Sequence, residues 1–389
     1  MASTAAGWPT VSVAMTTFNG APYLEEQLES LLGQRHLPAE LVVGDDGSED
    51  DTLAILQRFS QKASFPVFVH RNADRLGFRR NFIRTAERCR GELISFCDQD
   101  DVWHADNLLK VARCFAEPDV LLTFHNARIV DGARQTISTF FADPPAPARS
   151  PHLTLPAWSA SYGFTQTFRS SLLPATALWH GVKDYFHPDT EMGHGVFFFL
   201  LATGLGSVCY LNEELAEYRL HGRNTMGSGK RTRATLVERW QYRLENRTEI
   251  YRQLAHVAVL NAELFTAVSM MPAFSPLLRA RATEAATAWR MLGPTYTDRA
   301  MLCSGSFADR VRAFVRLCRN GAYSERNFWT FGSKGLLKDA VLGLALADLV
   351  SKYGRPSAPS ADRTCRRGRR SLGLDHAPVV GTAVQAEAV

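Results

Sequence analysis

The first third of the chain alternates two hydrophobic periodicities. VSVAMTTF (11–18) is a continuous apolar and β-branched run, the pattern of a strand buried on both faces. APYLEEQLESLLGQ follows, with Leu24, Leu28, Leu31 and Leu32 at helical spacing. ELVVGDDGS (40–48) reads as a second strand ending in a turn, DTLAILQRFS as a second helix and PVFVH (66–70) as a third strand. Residues 77–90 predict a third helix with Phe78, Phe82 and Ala86 on one stripe. ELISFC (92–97) is a fourth strand, and ADNLLKVARCFAE the helix after it. This order predicts an α/β fold with a Rossmann-like, mainly parallel sheet covered by helices on both faces.

The pattern then breaks. ADPPAPARSP (142–151) predicts a surface loop. Strand and helix signals return in SYGFTQTF, GHGVFFFLLATGLG and SVCYLNEELAEYRL, and from about residue 232 the chain becomes mainly helical. In GHGVFFFLLATGLG the run Phe197, Phe198 and Phe199 is expected in the core. The last stretch, rich in Pro, Ala, Ser and Arg, lacks a core pattern and is expected to be disordered. The expected organisation is an extension over 1–8, an α/β domain over 9–228, a helical C-terminal region over 229–353 and a tail over 354–389. There are no internal repeats.

Composition changes this picture little. With 46% hydrophobic and 21% charged residues in 389, the chain has ordinary globular proportions. The net charge of +5 suits phosphate contacts or an anionic surface without singling out either. No nucleic-acid partner is expected. Seven cysteines without a CxxC spacing predict reduced thiols and a cytoplasmic protein. The N-terminus lacks a signal-peptide pattern, and AVLGLALADLV (340–350) is too short to span a bilayer. Peripheral contact with the inner membrane face is expected through Arg312, Arg316, Arg319, Lys334 and Lys338.

Candidate chemistry gathers where the strands end. In an open α/β sheet, ligands bind beyond the carboxyl ends of the strands. Those ends carry Thr16, Thr17, Phe18 and Asn19, then Asp45 and Asp46, then Arg71 and Asn72, then Asp98, Asp100 and Asp101 of SFCDQDDVW. Three aspartates within four positions repel one another, and a divalent cation would relieve that repulsion. Oxygen ligands suit Mn2+ or Mg2+, which use one or two protein carboxylates and complete their shell with phosphate and water. The plainer alternative is a solvated turn and helix cap, and DDGS at the previous strand end weakens it. Neither GxxxxGK[ST] nor GxGxxG follows the first strand, which disfavours a P-loop kinase or a nicotinamide-dependent dehydrogenase.

The stretches VSVAMTTFNGAPYLEEQLESLL, ELVVGDDGSEDDT, NADRLGFRRNF and ISFCDQDDVWHADNL, with YLNEELAEYRLHGRNTMG and FGSKGLLKD further on, resemble the inverting family-2 glycosyltransferases of the GT-A fold. Within that family the chain looks most like rhamnosyltransferase-type enzymes of bacterial surface polysaccharide assembly. The resemblance implies that Thr16, Phe18 and Asn19 line a nucleobase pocket, that Asp45 binds base or ribose, and that Arg71 lies near the base. It implies that Asp98 and Asp100 hold ribose and a metal-bound diphosphate. Asp101 would share the metal role, His221 would reach metal or diphosphate, and Arg219 would be a counter-charge. The donor would be a UDP- or dTDP-linked sugar, such as a deoxyhexose, and the acceptor a hydroxyl on a lipid-linked oligosaccharide or a small metabolite.

One position departs from that pattern. Inversion needs a general base on the acceptor side, and the subgroup commonly places an Asp directly after a His. Here DTEMGHGVFFFLL carries Gly195 at that position. Glu191, His194 and Asp189 are the substitutes, and a base outside the segment is the remaining alternative. Three functions stay open at this point: glycosyl transfer in polysaccharide or glycoconjugate synthesis, natural-product tailoring, and nucleotide-sugar binding without turnover.

Overall fold

The computed structural model describes residues 7–184, 190–221, 246–324, 328 and 330–345. The expected tail over 354–389 and most of the extension over 1–8 lie outside them, as does residue 189. Ten strands form one sheet: β1 Val11–Thr17, β2 Glu40–Asp45, β3 Val67–Arg71, β4 Leu93–Asp98, β5 Val102–Trp103, β6 Val120–Val130, β7 Thr136–Thr139, β8 Arg149–Ser150, β9 Gln166–Arg169 and β10 Ser207–Arg219. The main path runs β3-β2-β1-β4-β9-β6-β10-β5. β3, β2, β1 and β4 are mutually parallel, which gives the α/β half expected from the periodicity.

The strands alternate between two cores, as the pleat requires. Val11, Val13 and Met15 of β1 pack with helices α1 (Ala21–Leu32), α2 (Thr52–Lys62) and α4 (Asn107–Cys114). Ala14 of β1, with Ile94 and Phe96 of β4, faces the other side. There they meet α3 (Phe78–Ala86), the largely apolar α5 (His194–Leu205) and the C-terminal helices α6 (Arg247–Met270), α7 (Pro276–Ser304) and α8 (Phe307–Arg319). Phe197, Phe198 and Phe199 are completely buried, as their run predicts.

The sheet is mainly parallel, as expected, with an antiparallel insertion: SYGFTQTF contributes β9, which is antiparallel to β4 and β6 and separates the two parallel sets. One expectation needs correction. The third helix is shorter than 77–90, and Phe78 at its first position is exposed while Phe82 and Ala86 are buried. A first-turn residue lies at the rim of the stripe, where periodicity alone does not decide burial.

The C-terminal helices are tied together by a buried ionic node. The carboxylate of Asp339, the last residue of FGSKGLLKD and of α9 (Gly332–Asp339), accepts from Arg299 Nε at 2.9 Å, Arg247 Nη2 at 3.2 Å and Tyr323 Oη at 3.1 Å. Removing one partner of such a node leaves uncompensated charge in the core. On the surface, Arg316 pairs with Asp298 at 2.6 Å and Arg312 with Asp309 at 3.1 Å. Two of the five basic residues expected to meet a membrane are therefore already paired within the chain. Among the described residues, no helix is long and apolar enough to cross a membrane.

Candidate functional site

Strand order reverses between β1 and β4: β2 and β3 lie to one side of β1, and β4 to the other. That switch point is where an open α/β sheet leaves a crevice. Thr16 of β1 stands opposite Asp98 of β4 there, and Thr17 opposite Asp45 of β2. The four strand-end groups expected from the sequence thus share one rim.

The DDGS half of the rim is saturated with internal hydrogen bonds. Asp45 is completely buried. Its Oδ1 accepts from the backbone N–H groups of Gly47 (3.2 Å) and Ser48 (3.0 Å). Its Oδ2 accepts from Thr17 Oγ1 (2.9 Å) and Ser48 Oγ (2.5 Å). In this arrangement Asp45 braces the turn. Asp46 accepts from the N–H groups of Leu76 (2.7 Å) and Gly77 (2.8 Å) and from Asn72 Nδ2 (3.1 Å), tying down the NADRLG loop. Arg71 is exposed at the end of β3, with Nη2 3.4 Å from Ser48 O.

Phe18 and Asn19 form the β1 lip. Gln99, the one uncharged member of DQDD, accepts from Phe18 N at 2.9 Å and donates to Phe18 O at 3.2 Å, which joins the β1 and β4 ends. A Cβ on Gly20 would lie 2.1 Å from Gln99 Oε1, so a glycine is required beside this clasp. Asn19 adopts φ 48°, a left-handed conformation that asparagine tolerates, and its Oδ1 accepts from Glu49 N at 2.9 Å. The Arg75 guanidinium lies 3.8 Å from the Phe18 ring centroid. Sequence reading passed over both Gln99 and Arg75.

The DQDD half is electrostatically undersupplied. Asp101 is buried, its Oδ1 receives one long hydrogen bond from Arg219 N (3.4 Å), and its Oδ2 has no partner. Burial first, then the charges of Asp100 and Asp98, raise its carboxyl well above the usual range. Burial and then the Asp100 charge push Asp98 up to about 7. The donor set fits a hard divalent cation: clustered carboxylate oxygens, an unpartnered buried oxygen and an adjoining imidazole. His221 Nε2 is 2.7 Å from Asp100 Oδ2, which brings the histidine to the cluster. Among the described residues, no three such side chains already converge at ligating geometry.

Arg219, at the end of β10, reaches both the acidic cluster and α1. Its side chain is buried and forms a fork with Glu26, Nη1 to Oε1 at 3.1 Å and Nη2 to Oε2 at 2.9 Å. Its guanidinium also lies 5.2 Å from the centroid of Tyr23, whose ring stacks on His221 at 4.4 Å. Hydrogen bonding from Arg219, above all, holds Glu26 below the usual carboxylate range. Arg219 is therefore held against α1 through this fork. A buried guanidinium must find a carboxylate, and Glu26 is the one α1 presents.

At the entrance to α5 the three candidate bases separate. His194 is boxed by aromatic rings: stacked on Phe82 at 4.0 Å and edge-on to Phe96 at 4.7 Å. Burial, and secondarily Arg79, lowers it to about 3, so it stays neutral and is a weak base at neutral pH. Glu191 carries a half-exposed carboxylate 3.9 Å from His180 Nδ1. Its backbone is pinned by Arg79, which donates to Glu191 O (2.7 Å) and Thr190 Oγ1 (2.5 Å). Asp189 lies outside the described residues. At Gly195 the backbone has closed in: a Cβ would sit 2.7 Å from Gly163 N and 2.9 Å from Gly163 Cα. Gln166 Nε2 further locks this turn by donating to Gly195 O at 3.0 Å.

The chain is similar in sequence to several known proteins. An uncharacterized glycosyltransferase of Nostoc sp. is 29% identical over 223 residues, covering 55% of this chain and 66% of its own length. The putative teichuronic acid biosynthesis glycosyltransferase TuaG of Bacillus subtilis is 31% identical over 118 residues, 30% of this chain and 46% of its own. The dTDP-rhamnosyl transferase RfbG of Shigella flexneri is 31% identical over 119 residues, 29% of this chain and 38% of its own. The chain thus spans about two thirds of the first relative and less than half of the other two. Among solved structures, S. aureus TarS 1–349 in complex with UDP superposes with a TM-score of 0.45 at 15% identity, over 88% of this chain and 90% of that one. The family model described as glycosyl transferase family 2 matches residues 12–172, the stretch that holds β1 to β4 with both acidic motifs.

Proposed function

We propose that this chain transfers a sugar from a nucleoside diphosphate donor to a hydroxyl acceptor, with inversion, in the synthesis of a surface polysaccharide or glycoconjugate. The observation that carries the reading is the undersupplied DQDD rim at the switch point, where Asp101 Oδ2 has no partner and His221 meets Asp100. Phe18, Thr16 and Asn19 would hold the base, with Arg71 at its edge. Asp98 would take the ribose and diphosphate. Asp100, Asp101 and His221 would hold Mn2+ or Mg2+, which when bound supplies positive charge for the leaving diphosphate. Asp45 and Arg219 would act from beneath, as braces. A UDP- or dTDP-linked donor, and within it a deoxyhexose such as rhamnose, is supported by the naming of RfbG as a dTDP-rhamnosyl transferase. The acceptor would be a lipid-linked oligosaccharide met at a membrane surface, and tailoring of a small metabolite is the close rival.

Glu191 is the best-placed base: its carboxylate is accessible and its backbone is held by Arg79, whereas His194 is caged in neutral form. A second reading, a nucleotide-sugar-binding protein without turnover, is favoured by the contact of Gly195 with Gly163, which leaves no room for the usual Asp. The experiment is nucleoside diphosphate release from UDP-, dTDP- and GDP-sugars with and without Mn2+, with the glycosylated product identified by mass. Metal-dependent release with Glu191→Gln slowed by about 10²–10⁴-fold at unchanged donor affinity supports transfer through Glu191. Donor binding without any product favours the binding protein, and no metal-dependent nucleotide binding at all overturns both.

A further inference from the structure

The chain leaves regular structure at Arg219, where β10 ends, and His221 follows two residues later. Its imidazole nevertheless lies face to face with Tyr23, ring planes 19° apart, with Nε2 2.7 Å from Asp100 Oδ2. Tyr23 is on α1, far from His221 in sequence. The guanidinium that lies against Tyr23 belongs to Arg219, which Glu26, one turn further along α1, holds through both carboxylate oxygens. Arg219 is nearly inaccessible (3% of its side chain), so its fork has few alternative arrangements, and its own N–H reaches Asp101. One α1 turn therefore sets both residues of β10 and its exit that touch the acidic cluster.

We propose that Glu26 and Tyr23 are positioning residues of the acidic rim: Glu26 clamps Arg219, Arg219 holds the Tyr23 ring, and Tyr23 sets the His221 imidazole on Asp100. The ring pair supplies a flat surface that fixes the imidazole plane, and a fixed plane is what directs Nε2 at one carboxylate oxygen. The bidentate contact matters because a single hydrogen bond would let the guanidinium pivot away from the ring. The placement of His221 is a property of the empty protein. Only its consequence for cation affinity rests on the proposed function.

Two measurements separate these levels. Histidine-labelled full-length protein, free of metal and nucleotide, reports the stack by NMR, because a ring stacked on tyrosine is shifted upfield; His221→Gln assigns the resonance. Glu26→Gln and Tyr23→Leu should each move that resonance downfield. Tyr23→Phe should keep it, and so should Glu25→Gln, which removes the neighbouring α1 carboxylate that pairs with exposed Arg58. Manganese binding in the presence of UDP or dTDP, read by electron paramagnetic resonance, should weaken roughly tenfold in Glu26→Gln and in Tyr23→Leu. The double variant should be no worse than either single one, because the three residues act in series. A His221 resonance unmoved by Glu26→Gln or by Tyr23→Leu overturns the proposal, even if the melting point falls. If Glu26→Gln does not fold, the Tyr23→Phe and Tyr23→Leu pair decides alone. Resonances that shift as expected in a protein that binds no manganese would leave the positioning intact and overturn the metal reading.

Discussion

DDGS and DQDD stand at the ends of β2 and β4, on either side of β1, yet their carboxylates do opposite things. Asp45 and Asp46 receive seven hydrogen bonds between them, from backbone amides, hydroxyls and one side-chain amide. Asp101 receives a single long one, and one of its oxygens none. The first pair is neutralised by the fold and shapes the loops around the crevice. The second cluster is brought together without enough donors, so its repulsion is stored in the empty protein and available to a cation. Similar motifs at equivalent ends of a sheet therefore divide into a scaffold and, on the proposed function, a binding group, and the difference lies in the count of donors each meets.

The comparison breaks most readily at Asp46. Asp46→Ala removes the acceptor for two loop amides and Asn72 Nδ2 at a buried position, and each orphaned donor costs on the order of 1–3 kcal/mol. A loss of about 3–4 kcal/mol in denaturant unfolding is expected, with unchanged dependence on added Mn2+. A variant of wild-type stability would mean that water replaces these contacts, and that DDGS is not the scaffold described here.

Asp100→Ala is the mirror experiment. It should leave stability unchanged or slightly higher, because one charge leaves a repelling cluster. Metal-dependent nucleotide affinity should fall by more than about a hundredfold, since even the outer partners of a metal are worth ten- to a hundredfold. Isothermal titration with UDP and dTDP at fixed Mn2+ reads this directly. Affinity within a factor of a few of wild type would show that DQDD is a solvated turn after all.

Much of this division was legible in the sequence, and some of it could not be. The strand–helix alternation placed all four polar strand ends on one rim because each strand is a continuous apolar run with a polar stop. What periodicity could not reveal was direction: nothing in the side-chain pattern of β9 marks that it runs the other way. Nor does a motif say whether its carboxylates are already occupied, since the donors to Asp45 come from its own turn and β1, and those to Asp46 from about thirty residues away. The missing Asp at 195 was visible as a glycine. That the backbone of Gly163 lies where a side chain at 195 would begin was not, because that contact joins segments remote in sequence. Glu26 had a signal within reach: a glutamate on the α1 stripe flank, in a stretch that resembles the family throughout. It was hidden because its partner lies beyond residue 200.

The smallest expected effect is also the most direct measure of the stored repulsion. Asp98 is pushed up to about 7 and Asp101 is raised as well, first by burial and then by neighbouring carboxylates. Between the unfolded aspartate value near 4 and about 7, the native cluster therefore binds more protons than the unfolded chain does. The cluster's contribution to stability is full below that window and is lost as pH rises through it. Buried neutral histidines act the other way: burial lowers His194 to about 3 and His125 to about 4, so their contribution is lost as pH falls from about 6.5. The total curve mixes both, and the acid part is isolated by comparison with the Asp98→Asn/Asp101→Asn double variant, whose amides keep an acceptor for Arg219 N. Between pH 5 and pH 8, wild-type protein should lose on the order of 1 kcal/mol more unfolding free energy than the double variant. Saturating Mn2+ should shrink that difference, because a bound cation replaces the protons. Parallel pH curves for the two proteins would mean that the cluster carries no stored repulsion, and the contrast with DDGS would then be one of geometry alone.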